Sequence, residues 1–167
     1  SRRDFDVWQK TNVERTLQMV KILKMKNAFL FLFVLFSFSG QAQKEAVQKT
    51  IETFFEGFHA KDTVKIKSTC SEKLMLQSIK ENAKGNKLTD EKVNEFYKSI
   101  ATIPAEMKFE ERILSFNIQV DGTMAHAWTP YEFYINGKLS HKGVNAFTLF
   151  LDGSIWKIVH LIDTRRK

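Results

Sequence analysis

The chain has 167 residues, with 26 Lys and Arg against 19 Asp and Glu and a net charge of +7. Residues 43–167 are the size of one compact domain with a single core and leave no room for a second. Their own net charge is only +3, because the preceding segment carries seven of the basic and three of the acidic side chains. A charge so mild and so scattered argues against a nucleic-acid partner.

The first pattern along the chain is that of an export signal. A basic start at Met25–Asn27 precedes the unbroken apolar run Ala28–Phe38, and small residues follow at Gly40 and Ala42. A membrane-spanning helix needs about 20 apolar residues, which is more than this run offers. The pattern therefore predicts a signal peptide cleaved after Ala42 and no stable membrane anchor after cleavage. The mature protein is expected to be periplasmic or secreted.

This interpretation divides the chain into three parts. Residues 1–24 precede the natural initiator Met25 and are predicted to be an upstream extension outside the fold; residues 25–42 are the signal peptide, and residues 43–167 are the domain. Cys70 is the only cysteine, so an intrachain disulfide is excluded. Its expected role is that of a small buried residue near a helix end.

Residues 44–59 have the periodicity of an amphipathic helix. Their apolar positions recur at spacings of three and four, and the stripe is heavily aromatic. The stripe consists of Ala46, Val47, Thr50, Ile51, Phe54, Phe55 and Phe58. It must pack against a broad apolar surface.

Shorter elements follow this helix. Asp62 is a plausible N-cap for a helix over 63–69, and residues 73–79 alternate as a strand does. Apolar spacing from Thr89 to Ile100 predicts another helix, which ends before Pro104.

Three turn dipeptides divide the C-terminal half at regular intervals. They are Asp121-Gly122, Asn136-Gly137 and Asp152-Gly153. Each is a preferred pair for a two-residue hairpin turn. The strands they predict run over about 107–120, 123–135, 138–151 and 154–165. Helices followed by this antiparallel meander, with the short strand 73–79, predict an α+β fold whose N-terminal helices cover one face of a curved sheet.

Two-residue turns also predict register across the sheet. Pairing Val120 with Thr123, Ile135 with Lys138 and Leu151 with Ser154 gives three rows on one face, two of which contain the candidate site residues. The first row contains Trp128, Asn145 and His160, and the second contains Glu111, Glu132 and His141. The opposite face is aliphatic, with Leu114, Phe116, Val144, Val159 and Leu161. Pro130 threatens this register, because a proline in a central strand is usually found at a bulge.

The chain resembles the nuclear transport factor 2-like superfamily, and within it the exported bacterial proteins named for lumazine binding. The resemblance rests on the layout of the domain and on segments 128–134, 140–147, 156–158 and 163–166. It implies a cone-shaped α+β barrel in which the first helix closes a curved sheet around a pocket, often as a dimer. It also implies a pterin-like or other heterocyclic ligand.

Two groups of residues are candidate site residues. His141 with Glu132, and with Glu111 in the same row, is the candidate acid–base pair, because a carboxylate beside an imidazole can set its tautomer and pKa. Trp128, Asn145 and His160, together with His141, are candidate ligand-binding residues, since a flat ring beside an amide and an imidazole suits a planar heterocycle. Both groups have structural alternatives: a charged end of the sheet in water, or a hydrogen-bonded polar row inside the barrel.

Other charged residues are expected to be structural. Asp163 should form ion pairs with Lys142 or Arg112 that hold the last strand. No His, Asp and Glu spacing of the ligand type occurs, so no metal site is predicted, and no cofactor is expected.

Three functions remain open, in this order of preference. The first is a non-catalytic binder of a small, planar molecule. The second is a cofactor-free isomerase, dehydratase or cyclase that uses the His and Glu pair. The third is an interaction module that forms a homodimer through its aliphatic face, with the pocket packed shut.

Overall fold

The computed structural model describes Met19, Lys21 and residues 40–83 and 85–167. Residues Gln43–Lys167 form one compact unit. The predicted upstream extension and signal peptide lie outside the described residues, except for Met19, Lys21 and residues 40–42. Among the described helices, none is both long enough and apolar enough to cross a membrane.

The first two helices lie where the sequence predicts them, and the third begins at Val93 rather than at Thr89. Helix α1 covers residues 40–60, α2 is Thr63–Thr69 and α3 is Val93–Ala101. The carboxylate of Asp62 accepts hydrogen bonds from the amides of Val64 and Lys65, so the predicted N-cap is confirmed. The aromatic stripe of α1 is buried at Val47, Ile51, Phe54 and Phe55, which places this helix against the core.

One curved sheet supports the helices. Within the described residues its strands are β1 (Cys70–Asn82), β2 (Gly85–Glu91), β3 (Phe109–Ile113), β4 (Asn117–Asp121), β5 (Met124–Ile135), β6 (Lys138–Asp152) and β7 (Ile155–Arg165). The order is β2-β1-β7-β6-β5-β3, with β4 also paired to β5. All pairs are antiparallel except β1 with β7, which is parallel. The predicted α+β plan, with helices on one side of a curved antiparallel sheet, is confirmed.

The N-terminal strands differ from their predicted bounds. β1 is longer than the predicted strand 73–79, and β2 occupies residues 85–91, which include part of the predicted helix from Thr89. The helix itself, α3, begins only at Val93. The predicted strand 107–120 is two strands, since residues 114–116 between β3 and β4 belong to neither.

Turn geometry corrects the predicted register. Asn136 and Gly137 have φ of 49° and 77°, as a type I′ turn requires, and Ile135 pairs with Lys138 as predicted. In the other two turns only the glycine has positive φ, 56° at Gly122 and 61° at Gly153. Each glycine is therefore the first central residue, so the preceding aspartate still belongs to the strand.

Two bulges shift the register further. One lies between Phe133 and Tyr134 in the β5–β6 pair, and the other lies beside Thr148 and Leu149 in the β6–β7 pair. A one-residue shift moves every side chain beyond it to the other face. Asn145 consequently pairs with Thr129 and Asp163, so its predicted neighbours Trp128 and His160 were wrong.

Pro130 is not at a bulge, contrary to the prediction. It pairs with Val144 in unbroken register. On its other side lies the gap between β3 and β4, because Tyr131 pairs with Ile113 and Trp128 pairs with Asn117. The missing N–H of the proline therefore faces a break in the ladder, where no donor is needed.

Candidate functional site

A cavity of about 360 Å³ lies between α1, α3 and the inner face of the sheet. Its wall is mainly aromatic and aliphatic. The aromatic rings in the wall are Phe54, Phe55, Phe58, Phe96, Phe109, Tyr131 and Phe133. Small-molecule pockets in proteins usually have volumes of about 300–1,000 Å³ and apolar walls of this kind.

The rings form a continuous aromatic wall. Phe54 and Phe96 are stacked with 6.4 Å between ring centroids and 2° between planes. Phe58 meets Phe109 edge to face at 4.9 Å, and Phe109 stacks on Phe133 at 6.1 Å. These contacts join both helices to strands β3 and β5. Flat surfaces held in this way favour a flat ligand.

Glu111 is one of three carboxylates that line this cavity, with Glu91 and Asp163. It lies on β3, and its Oε1 accepts a hydrogen bond of 2.7 Å from the Asn145 side-chain amide on β6. Burial raises the pKa of Glu111 to about 7; the bond from Asn145 lowers it, while the nearby charge of Asp163 raises it. A carboxyl with this pKa exchanges its proton near neutral pH, which suits acid–base chemistry.

His59 fixes the position of the Glu111 backbone. β3 is an edge strand, and the Glu111 amide donates a 2.9 Å hydrogen bond to Nε2 of His59 on α1. Burial lowers the pKa of His59, which favours the neutral imidazole that this acceptor role requires. Helix α1 therefore contributes both the aromatic wall and the anchor of Glu111.

A second polar group beside the cavity, formed by Tyr131, Asp163 and Arg165, is held by its own hydrogen bonds and ion pairs. The Tyr131 hydroxyl has two acceptors for its one proton, Oδ2 of Asp163 at 3.1 Å and the Thr164 carbonyl oxygen at 2.9 Å. Arg165 donates to the same Asp163 oxygen at 2.6 Å, and it also lies 3.5 Å from a carboxylate oxygen of Glu91. This network connects β5, β7 and β2, and it holds the charge of Asp163 close to Glu111.

His141 lines the cavity as the sequence suggests, but its partner differs. Its ring stacks on Phe133 with 4.9 Å between centroids, and its Nδ1 lies 3.2 Å from the Ser140 hydroxyl. Burial and the charge of Arg165 lower its pKa, so a neutral imidazole faces the cavity.

The predicted pair of His141 with Glu132 does not form. In the sheet, Glu132 lies opposite Arg112 on β3 and opposite Lys142 on β6. Its carboxylate accepts a 2.8 Å hydrogen bond from the Tyr134 hydroxyl on the outer face. Phe133 takes the inward position between Glu111 and His141. The one-residue shift in register thus exchanges Glu132 for Glu111 as the carboxylate of the cavity.

The structure also separates the predicted ligand-binding group. Trp128 is 49% exposed and lies on the outer face between Asn117 and Ala146. His160 lies in register with outward Thr148, and its Nε2 is 3.0 Å from Oε1 of Gln77. Only Asn145 and His141 of the four candidates face the cavity.

The predicted ion pairs are also replaced. Asp163 pairs with Arg165 rather than with Lys142, because the register places Lys142 opposite Arg166. Arg112 pairs with Glu110 at 2.9 Å instead. Arg112 also covers the Tyr134 ring at 4.3 Å.

Sequence reasoning missed Tyr131, Phe133 and Arg165 as cavity residues. Alternation along β5 could have found the first two, since they share the face of buried Ala127 and Thr129. The part of the chain that the structure describes contains no cluster of three or more His, Cys, Asp and Glu that could hold a metal ion. Cys70 is buried, and burial raises its thiol pKa, so it is not poised as a nucleophile.

No protein-family model matches this chain, and no curated protein matches it. Solved structures do. An NTF2-like protein of unknown function from Shewanella baltica matches with a TM-score of 0.56 at 16% identity, over 75% of this chain and 95% of that one. A protein of the NTF2-like family from Streptomyces avermitilis, named as a dehydratase, matches at 0.59 and 14%, over 76% and 98%.

A third match is the β subunit of an aromatic-ring-hydroxylating dioxygenase, named as such, from Novosphingobium aromaticivorans. Its TM-score is 0.62 at 12% identity, over 76% of this chain and 91% of that one. Identities this low establish the fold and nothing finer. The chain has the NTF2-like fold, where NTF2 stands for nuclear transport factor 2, and the fold implied by the resemblance of the strand segments is thereby confirmed.

Proposed function

We propose that this protein binds a small, planar and mainly apolar molecule in the cavity between α1, α3 and the sheet. The observation that carries the proposal is the aromatic wall, in which stacked and edge-on rings surround about 360 Å³ of space. Rings of this kind need no cofactor or metal to hold a flat ligand. The binder, ranked first from sequence, remains the preferred function.

Polar groups at the sheet side of the cavity would orient the ligand. Glu111, His141 and Asn145 line the cavity, and the rest of the wall is largely apolar apart from Gln77, Glu91, Ser99, Asp163 and Arg165. A heterocycle with ring nitrogens and carbonyl oxygens would match this mixture of a carboxyl, an imidazole and an amide. The lumazine-like ligand class implied by the strand segments is compatible with it and forms part of the proposal, as does export to the periplasm or beyond.

Binding can be tested with N-phenylnaphthylamine, an uncharged flat molecule whose fluorescence rises in apolar surroundings. We expect the protein to bind it, and we expect Phe133→Ala to weaken its affinity about tenfold, because Phe133 supplies a stacking face of the cavity. Tyr134→Ala is the matched control, since the neighbouring ring lies on the outer face and should leave the affinity unchanged. Fluorescence titration measures the affinity of each variant and of the wild-type protein for the probe.

Two results would count against the binder. An equal loss of affinity in both variants would show that the probe binds outside the cavity. No fluorescence change with the wild-type protein would leave the aromatic wall as a packed core only.

Cofactor-free acid–base catalysis is the second candidate function. It is favoured by one observation, namely that Glu111 combines a pKa of about 7 with a place in the cavity wall. Isomerases and dehydratases need such a group to move a proton, and one matched structure is named as a dehydratase. His141 on the far side of Phe133 would assist as a neutral donor or acceptor. Glu111 replaces Glu132 in this hypothesis.

The homodimer stays a prediction, but its face changes. Leu161 of the predicted aliphatic face lines the cavity, so a dimer interface would have to lie on the outer face of the sheet. That face exposes Trp128 and the cross-strand pair of Met124 and Phe150. If a second copy covers it, Trp128→Glu should give a monomer in light scattering after gel filtration, whereas His126→Glu, at the next outward position, should dissociate it less. A wild-type monomer would refute the dimer.

A further inference from the structure

A second, more open cavity of about 890 Å³ adjoins the aromatic one. His141 and Arg165 line both cavities, so the two spaces meet at these side chains. The walls differ in character. The second cavity is bounded by the cationic residues Lys80, Arg165, Arg166 and Lys167, with Ser140 and Asn86 as neutral polar groups. We call it the cationic groove.

Carboxylates do not balance this charge. Glu81 is the acidic side chain of the groove wall, and it lies 3.5 Å from Arg166. Arg165 is engaged by Asp163 and Glu91. Within the described part of the chain, Lys80 and Lys167 have no acidic partner within ion-pair distance. The groove therefore retains positive charge after its internal pairs are counted.

The register of the sheet adds an independent observation. Lys80 on β1 lies directly opposite Lys87 on β2 and beside Arg165 on β7, so three cations form one row across three strands. Like charges directly opposite each other destabilise a sheet. An anion bound in the groove beside Lys80 and Arg165 would offset this repulsion and accept charge-assisted hydrogen bonds from both.

We propose that the ligand is an amphipathic anion: a flat apolar body in the aromatic cavity, and a carboxylate, phosphate or sulfonate group in the cationic groove. This inference rests on the proposed binding function and names its ligand class. Arg165 and His141 stand where the two parts of the ligand would join. Glu111, deeper in the apolar wall, stays available for the body of the molecule.

The test compares two probes that share one ring system. Anilinonaphthalene sulfonate carries a sulfonate, and N-phenylnaphthylamine lacks it. We expect the wild-type protein to bind the sulfonate more tightly. In the double variant Lys80→Gln with Lys167→Gln, which removes the two groove lysines that lack an acidic partner, the affinity for the sulfonate should fall about tenfold relative to the affinity for the uncharged probe. Inorganic phosphate should compete with the sulfonate and not with the amine.

A matched control keeps the net charge of the variant. Lys73→Gln with Lys138→Gln removes two exposed strand lysines that do not line the groove, and it should leave the ratio of affinities unchanged. An equal effect of both double variants, or no preference for the sulfonate in the wild type, would overturn the anion proposal while leaving the binder intact. Failure of both probes to bind would overturn both.

Discussion

Replacing Glu111 by Gln is expected to lower the rate of a simple proton-transfer reaction by about 100-fold or more. The reaction is the ring opening of nitrobenzisoxazole, a flat bicyclic molecule of the size and type that the cavity suits. A base removes the proton from the ring carbon, the C–H electron pair forms the nitrile, and the N–O bond breaks to release a coloured phenolate. Ionised Glu111 would accept that proton in apolar surroundings, where a carboxylate is a stronger base than in water.

The pH dependence gives this prediction a second readout. Because the pKa of Glu111 is about 7, the base form accumulates above that pH, and the rate should rise with a midpoint near 7. The neighbouring Glu110→Gln is the matched control: this carboxylate is exposed, and Arg112 lowers its pKa. Activity that survives Glu111→Gln, or a midpoint near the ordinary carboxyl value, would contradict the acid–base role.

The second large effect is on stability, and its sign is opposite to that of a normal salt-bridged carboxylate. The pKa of Glu111 is raised from an ordinary 4.5 to about 7, so the folded protein holds this proton more tightly than the unfolded chain. Its contribution to stability is present below pH 4.5 and is lost as pH rises to 7. At pH 8 the ionised group costs roughly 3 kcal/mol as an upper bound, at 1.36 kcal/mol per pKa unit.

Glu111→Gln should therefore stabilise the protein at pH 8 by about 1 to 3 kcal/mol and by little at pH 4.5. Glutamine keeps the shape and the acceptor oxygen that Asn145 needs. Urea unfolding at the two pH values, with Glu110→Gln measured beside it, gives the comparison. A variant that is less stable than the wild type at pH 8 would show that Glu111 is held ionised. Gain in stability with loss of activity is the trade-off expected at a functional site.

The helices were predictable because local patterns determine them. The aromatic stripe of α1 has to face a core, and Asp62 at the start of α2 provides hydrogen-bond acceptors to two amides. The turn dipeptides likewise located every hairpin of the C-terminal half. Each of these signals lies within a few residues of the structure it produces.

Register was not predictable to the same degree. Asp-Gly dipeptides at 121–122 and 152–153 permit two turn frames, and the structure uses the one with glycine first. The bulges near Phe133 and Thr148 arise from packing between distant strands, and no local signal marks them. These small shifts were enough to exchange Glu132 for Glu111 and to move Trp128 outside.

The types of side chain in the site were therefore easier to predict than the particular residues that supply them. Sequence patterns indicated a pocket with histidine, carboxylate and amide groups, and the structure contains all three. Which histidine and which carboxylate line the cavity depends on the face of the sheet to which each side chain points. A register shift of one residue changes that face. The parallel pairing of β1 with β7, which positions Lys80 beside Arg165, has no sequence signal at all.

The central claim is that a flat ligand occupies the aromatic cavity, and a crystal structure of the protein with N-phenylnaphthylamine tests it most directly. We expect its rings against the faces of Phe58, Phe96 and Phe133 that line the cavity, on the side of the sheet that carries Glu111 and Asn145. Rings bound on the outer face near Trp128, with the cavity unchanged, would contradict the account.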